Sequence, residues 1–266
     1  KGFGFLLGAA LLATIGFTGA VLGMATVLAV ILIAVLILMP AGLPKGNTGA
    51  KFTEVFSMSP NVNWLSAARV VLFGARDVWF VVGIPIYFYA ILSDGTEEGN
   101  RMSFFLIGTF MAIWVILYGL VQINAPRILN AKSRTTAELI SVTRLWAWAL
   151  TLVPGVLAVA ALLANGPQHW LTLGLVLGLL LFGALFAINS SLHSFLILLF
   201  TKAERVTRDV GFYYMANAAG RLIGTLASGL TYHIGGLPLM LAIAAGMVAL
   251  SAMAVSFLVP EEETMG

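Results

Sequence analysis

The sequence predicts an all-α membrane protein with about eight transmembrane helices. Three observations predict it. Of 266 residues, 60% are hydrophobic and 9% charged, whereas a soluble domain carries about 25% charged residues. Mean hydropathy is +1.01. The apolar residues also come in continuous runs. Val21–Met39 is nineteen residues without a charge, and about 20 apolar residues cross the hydrocarbon core. A transmembrane barrel would instead show segments of about ten residues with alternating polarity.

Taken in order, spans are expected at Phe3–Phe17 and Leu22–Met39, separated at Thr18-Gly19. A polar linker, 40–63, follows, marked by Pro44-Lys45-Gly46-Asn47 and Ser57-Met58-Ser59-Pro60. Six further spans are expected at Trp64–Leu92, Ser103–Ile123, Leu145–Ala164, Trp170–Leu192, Gly211–Tyr232 and Leu237–Val259. A short acidic tail, 260–266, ends the chain.

The loops set the orientation. Lys45, Lys51, Arg127, Lys132, Arg134, Arg144, Lys202, Arg205 and Arg208 fall in alternate connections. The opposite connections carry only Arg101, with Asp94, Glu97 and Glu98 in one of them. Basic loops face the cytoplasm, so the linker and the tail are placed there. The net charge of +3 is thus read as loop asymmetry and not as a nucleic-acid surface. With no cysteine, disulfides and thiolate metal sites are excluded.

Charged residues inside apolar spans carry the functional signal. An isolated charge at the bilayer centre costs about 2.5–3.5 kcal/mol on the lenient insertion scale, so it lines a cavity or finds a partner. Arg69, Arg76 and Asp77 lie in one expected span and Arg221 in another. Arg69 and Arg76 are seven residues apart and share a helix face. Arg76 lies about 20 Å from the cytoplasmic end of its span and Arg69 about 10 Å, within reach of snorkelling. Asp77 points about 100° away from Arg76 and is expected to pair with an arginine or a backbone group on a facing helix. Proton carriage is the other role open to it.

Tyr213, Asn217 and Arg221 recur every four residues and form one polar face. A guanidinium beside an amide and a phenol suits an oxyanion, though the same groups can also make an interhelical network. Trp114, Tyr118 and Gln122 share a face by the same spacing, as cavity lining or as packing. Gly220, Gly224 and Ser228 make a small-residue strip suited to close helix contact. Asn189, Ser190, Ser191, His193 and Ser194 cluster in the Trp170–Leu192 span and just beyond it.

Three cations against one anion point to a pathway for an anionic solute. Arg76 and Arg221 are the expected principal contacts, with Arg69, Tyr213, Asn217, Gln122 and Tyr118 around them. No HExxH, GxSxG, P-loop or paired carboxylates occur, so the expected function is not enzymatic, and neither metal nor cofactor is expected.

Two spans, a long cytoplasmic linker and six spans resemble the later part of a major facilitator superfamily transporter. Specific stretches sharpen this: Leu65-Ser-Ala-Ala-Arg69, Leu72-Phe-Gly-Ala-Arg-Asp-Val-Trp-Phe-Val-Val82, Tyr118-Gly-Leu-Val-Gln122 with Ala125-Pro126-Arg127, Asp209-Val-Gly-Phe-Tyr-Tyr-Met-Ala-Asn217 and Gly220-Arg-Leu-Ile-Gly-Thr225. They are similar to the organoarsenical efflux family ArsJ. The resemblance implies helices 5–12 of twelve. Residues 1–39 would close the N-terminal bundle, 40–63 would link the bundles, and 64–259 would form the C-terminal six-helix bundle. It also implies that the chain is the C-terminal part of a longer carrier in the bacterial inner membrane, since alternating access needs two bundles. The implied solute is 1-arseno-3-phosphoglycerate, made by a glyceraldehyde-3-phosphate dehydrogenase, and its export confers arsenate resistance. Export of another phosphorylated or carboxylated metabolite or drug, and a non-transporting membrane scaffold, are the alternatives.

Overall fold

Long apolar runs without water to satisfy their backbone dictate helices. The computed structural model describes residues 2–40, 59–202 and 205–260. Among them are seven α-helices: α1 (Gly2–Leu38), α2 (Pro60–Val78), α3 (Ile84–Leu92), α4 (Glu97–Ile128), α5 (Thr136–Ala164), α6 (His169–Leu199) and α7 (Val206–Val255). A π-helical turn, Trp79–Gly83, joins α2 to α3, and a 3-10 turn, Ala131–Ser133, lies between α4 and α5. No strand occurs among the described residues. Counting α2 to α3 as one run, six helices are long and apolar enough to cross a membrane, as a multi-pass membrane protein requires. Most of the expected linker and the residues Glu261–Glu263 of the tail lie outside the described residues, as do Lys45 and Lys51.

Two expected boundaries change. The sequence places the linker up to Asn63, but α2 starts at Pro60. Ser59 is its N-cap, accepting from the Val62 amide, and Pro60 follows in the first helical position. Proline belongs there because its missing N–H would be unpaired anyway. The second change is that each terminal pair of expected spans is one run. α1 has a single break, at Gly16 with φ 70°, and α7 one at Gly236 with φ 63°. Positive φ is a glycine conformation.

The break in α7 reverses the chain. Gly220 packs on the Val70 carbonyl, and Ser251 Oγ donates to the Ala68 carbonyl at 2.9 Å. A straight helix would put residues 220 and 251 about 46 Å apart, yet they meet α2 two residues apart. Contacts with Gly74 and Gly83 repeat the pattern: Gly224 and Ser228 approach from the first half, Met247 and Met240 from the second. The two halves of α7 thus run antiparallel along α2.

By its internal contacts the chain divides into two units, 1–54 with 88–115, and 55–87 with 116–266. This division differs from the linker-based one, because part of α3 and the first part of α4 group with α1. In the first unit a Cβ at Gly108 would collide with Ala9, so α4 and α1 touch closely there. Phe88 meets Phe110 edge-on with ring centroids 5.4 Å apart, and Tyr89 stacks on Phe104 at 5.0 Å. The loop before α4 is closed by Tyr89 and Ser93, both donating to Asn100 Oδ1.

In the second unit α2 lies against both halves of α7. The π turn comes just before Pro85, whose ring excludes a normal bond to the carbonyl four residues back. Ile84 N–H instead reaches the Trp79 carbonyl, and Gly83 N–H donates to Ser228 Oγ at 3.1 Å. Thr135 and Glu138 form a capping box that starts α5, and Asn165 ends it in the left-handed conformation.

The start of α2 is tied to the end of the chain. Asn61 Nδ2 donates to the Val259 carbonyl at 2.8 Å, and Val259 N–H returns a bond to Asn61 Oδ1 at 2.9 Å. Trp64 stacks on Phe257 with centroids 4.5 Å apart. Asn61→Leu removes both bonds and is expected to destabilise the unit by about 1–3 kcal/mol. Thermal unfolding in detergent reads this, and an unchanged midpoint would show that the clamp contributes nothing.

Candidate functional site

All the candidate residues except Trp114 belong to the second unit. Trp114 is buried in the first. α2 supplies Arg69, Arg76 and Asp77, and α7 supplies Tyr213, Asn217 and Arg221 before its break. α4 contributes Tyr118 and Gln122, and α6 contributes Phe186, Asn189, Ser190, His193 and Ser194. They form two clusters one above the other along α2.

The first cluster is a bridged carboxylate. Asp77 is 1% exposed, and its two oxygens are shared between two arginines. Oδ1 receives Arg76 Nη2 at 2.5 Å and Nε at 2.6 Å. Oδ2 receives Arg221 Nε at 3.1 Å. The facing-helix arginine expected for Asp77 is therefore Arg221. The expectation that Asp77 turns away from Arg76 is corrected: the long arginine side chain curls back across the 100° between neighbouring positions. Arg76 is 12% exposed and packs on the rings of Phe73 and Phe186, at 5.0 and 5.4 Å from the centroids. Arg221 is 50% exposed. It is the reachable member of the trio.

The second cluster surrounds Arg69, 4% exposed. Its guanidinium lies over Phe73 at 4.0 Å and Tyr213 at 4.7 Å, a cation–π sandwich. Nη1 donates to the Ser190 carbonyl at 3.1 Å and to Ser190 Oγ at 3.2 Å. No acid among the described residues pairs with it. Of the two roles open to Arg69, snorkelling is not the one seen: the side chain turns inward onto α6. Gln122 Nε2 reaches the same Ser190 Oγ at 3.5 Å, and Tyr118 packs on Phe186 at 5.8 Å. Tyr213 OH lies 3.5 Å from Ser194 Oγ. His193 is fully buried, with neither ring nitrogen hydrogen-bonded. Asn217 Oδ1 is likewise buried without a partner, so Asn217 joins neither arginine.

Glycines let the two arginine-bearing helices meet. A Cβ on Gly220 would strike the Val70 carbonyl, and one on Gly224 the Gly74 backbone. This is the close contact that the small-residue strip predicts, and it brings Arg221 to Asp77. Three guanidinium groups against one carboxylate leave an excess of positive charge on neighbouring turns of α2 and α7.

Sequence reasoning missed the aromatic faces. Phe73 lies four residues after Arg69 and three before Arg76, so one ring serves both cations. That spacing was visible. The Phe186 and Ser190 partners on α6 were not, because they depend on how α6 packs against α2. Among the described residues no group of His, Asp and Glu is placed to hold a metal ion.

No family model matches the chain, and no curated protein or solved structure matches it.

Proposed function

We propose that the chain belongs to a membrane carrier that exports an organic anion by alternating access. One observation carries the reading: a half-exposed Arg221 guanidinium stands beside the buried Asp77 carboxylate and its Arg76 partner, with Arg69, which no acid among the described residues pairs, adding charge behind it. A fixed positive excess inside apolar helices draws in an anion, and guanidinium forks suit phosphate or arsenate oxygens. The solute is proposed to be 1-arseno-3-phosphoglycerate, from the resemblance of the stretches around Arg76 and Arg221. The fold is proposed to be that of the major facilitator superfamily, with the breaks at Gly16 and Gly236 dividing six apolar helices into eight spans. The membrane is proposed to be the bacterial inner membrane, with the linker and C-terminus cytoplasmic.

The gene, expressed in an arsenate-sensitive bacterial strain, tests this. Resistance is expected only with a co-expressed glyceraldehyde-3-phosphate dehydrogenase. No resistance despite confirmed membrane insertion would remove the organoarsenical assignment. A second reading, a non-transporting scaffold, has one observation in its favour: Arg76 and Arg221 are both paired with Asp77. It predicts that no anion binds the protein.

A further inference from the structure

We infer that Asp77 is a built-in competitor for the anion site and sets its selectivity. The inference rests on the anion-carrier reading above. Its basis is the way one carboxylate occupies two guanidinium groups from two helices. Asp77 Oδ1 is held by Arg76 and Oδ2 by Arg221, across the α2–α7 contact. This is the arrangement an incoming oxyanion would need for itself. The carboxylate stands in for it.

The geometry is unequal in a useful way. The Arg76 contacts are short and largely shielded, with Arg76 12% exposed. The Arg221 contact is longer, at 3.1 Å, and its guanidinium is half exposed. Arg221 is thus the group an anion reaches first and the one Asp77 releases more readily. Arg76, adjacent in the chain, stays with Asp77. Gly220 and Gly224 hold the α7 backbone against α2, so the exchange needs only a side-chain movement of Arg221.

Competition sets the selectivity. A group attached to the same chain acts at an effective concentration on the order of millimolar or higher. A free monocarboxylate offers Arg221 nothing that Asp77 does not already supply. A dianion with three oxygens offers more charge and can engage the Arg221 fork with two parallel bonds while Asp77 keeps Arg76. The excess charge of Arg69, which has no acid of its own among the described residues, further favours the more highly charged ligand. Asp77 therefore rejects monocarboxylates while admitting dianionic oxyanions. It acts through Arg221 and is a positioning residue.

The test uses the purified full-length carrier in lipid nanodiscs, titrated calorimetrically with acetate and with inorganic phosphate at mildly alkaline pH. The wild type is expected to bind phosphate and not acetate. Asp77→Asn keeps the shape and removes the charge. It is expected to gain acetate binding and to bind phosphate at least about tenfold more tightly. An Asp77→Asn protein with wild-type selectivity and affinity overturns the inference and leaves the anion reading standing. So does a wild type that binds acetate as well as phosphate. Binding of neither anion by either protein overturns both. Should Asp77→Asn not fold, Arg221→Gln replaces it, since Arg221 is half exposed. It is expected to weaken phosphate binding about tenfold or more. Unchanged phosphate affinity in that variant overturns the inference.

Discussion

Gly224→Val is expected to destabilise the protein by about 1–3 kcal/mol, and by more if α7 cannot shift. The first atom added at Gly224 meets the Gly74 backbone, which has no rotamer to change. Relief requires the first half of α7 to move off α2. Asp77 and Arg221 would then separate, so the variant should lose anion binding along with stability. Gly229→Ala is the matched control. Its Cβ meets nothing within 4 Å. Alanine there should be neutral, or stabilising by about 0.5–1 kcal/mol. Thermal unfolding in the same detergent reads both. Equal midpoints for Gly224→Val and wild type would mean that the α2–α7 contact is looser than described.

Arg221→Ala is expected to abolish export while leaving the protein folded and inserted. Its side chain is half exposed, and Asp77 keeps Arg76 as a partner. No buried charge is stranded, so the large penalty for breaking a buried pair does not arise. What is lost is the reachable guanidinium. Losing a charge-assisted bidentate contact costs about 2 kcal/mol or more, about thirtyfold in affinity. Membrane expression equal to wild type with resistance lost is the expected result. Full resistance in Arg221→Ala would assign the anion to other groups. Arg76→Ala should also abolish resistance, but it is the less clean variant, since it exposes a buried carboxylate to a changed environment.

Much of this site was legible in the sequence. Seven-residue spacing put Arg69 and Arg76 on one side of α2, and the strip Gly220-xxx-Gly224 foretold the contact that delivers Arg221 to Asp77. Four-residue spacing sets Tyr213, Asn217 and Arg221 along one side of α7, but they divide among different partners. Tyr213 faces Arg69, Arg221 faces Asp77, and Asn217 Oδ1 has no partner. Periodicity gives direction along one helix and says nothing about which neighbour waits there. For the same reason the inward turn of Arg69 onto Ser190 was not legible, because snorkelling and burial begin from the same position. The reversal at Gly236 was legible as a gap between two apolar runs. Its sharpness was not, since Gly235-Gly236 with Pro238 turns the chain without a polar loop.

On the function proposed above, the protein moves an organic anion across the membrane. The most direct measurement is uptake into everted inner-membrane vesicles. Radiolabelled 1-arseno-3-phosphoglycerate would be generated outside them by glyceraldehyde-3-phosphate dehydrogenase from labelled glyceraldehyde 3-phosphate, arsenate and NAD+, which takes the hydride. Label is expected to accumulate in vesicles carrying the wild-type protein and not in vesicles carrying Arg221→Ala. Equal label in wild-type and empty vesicles, with folded protein present, would contradict it.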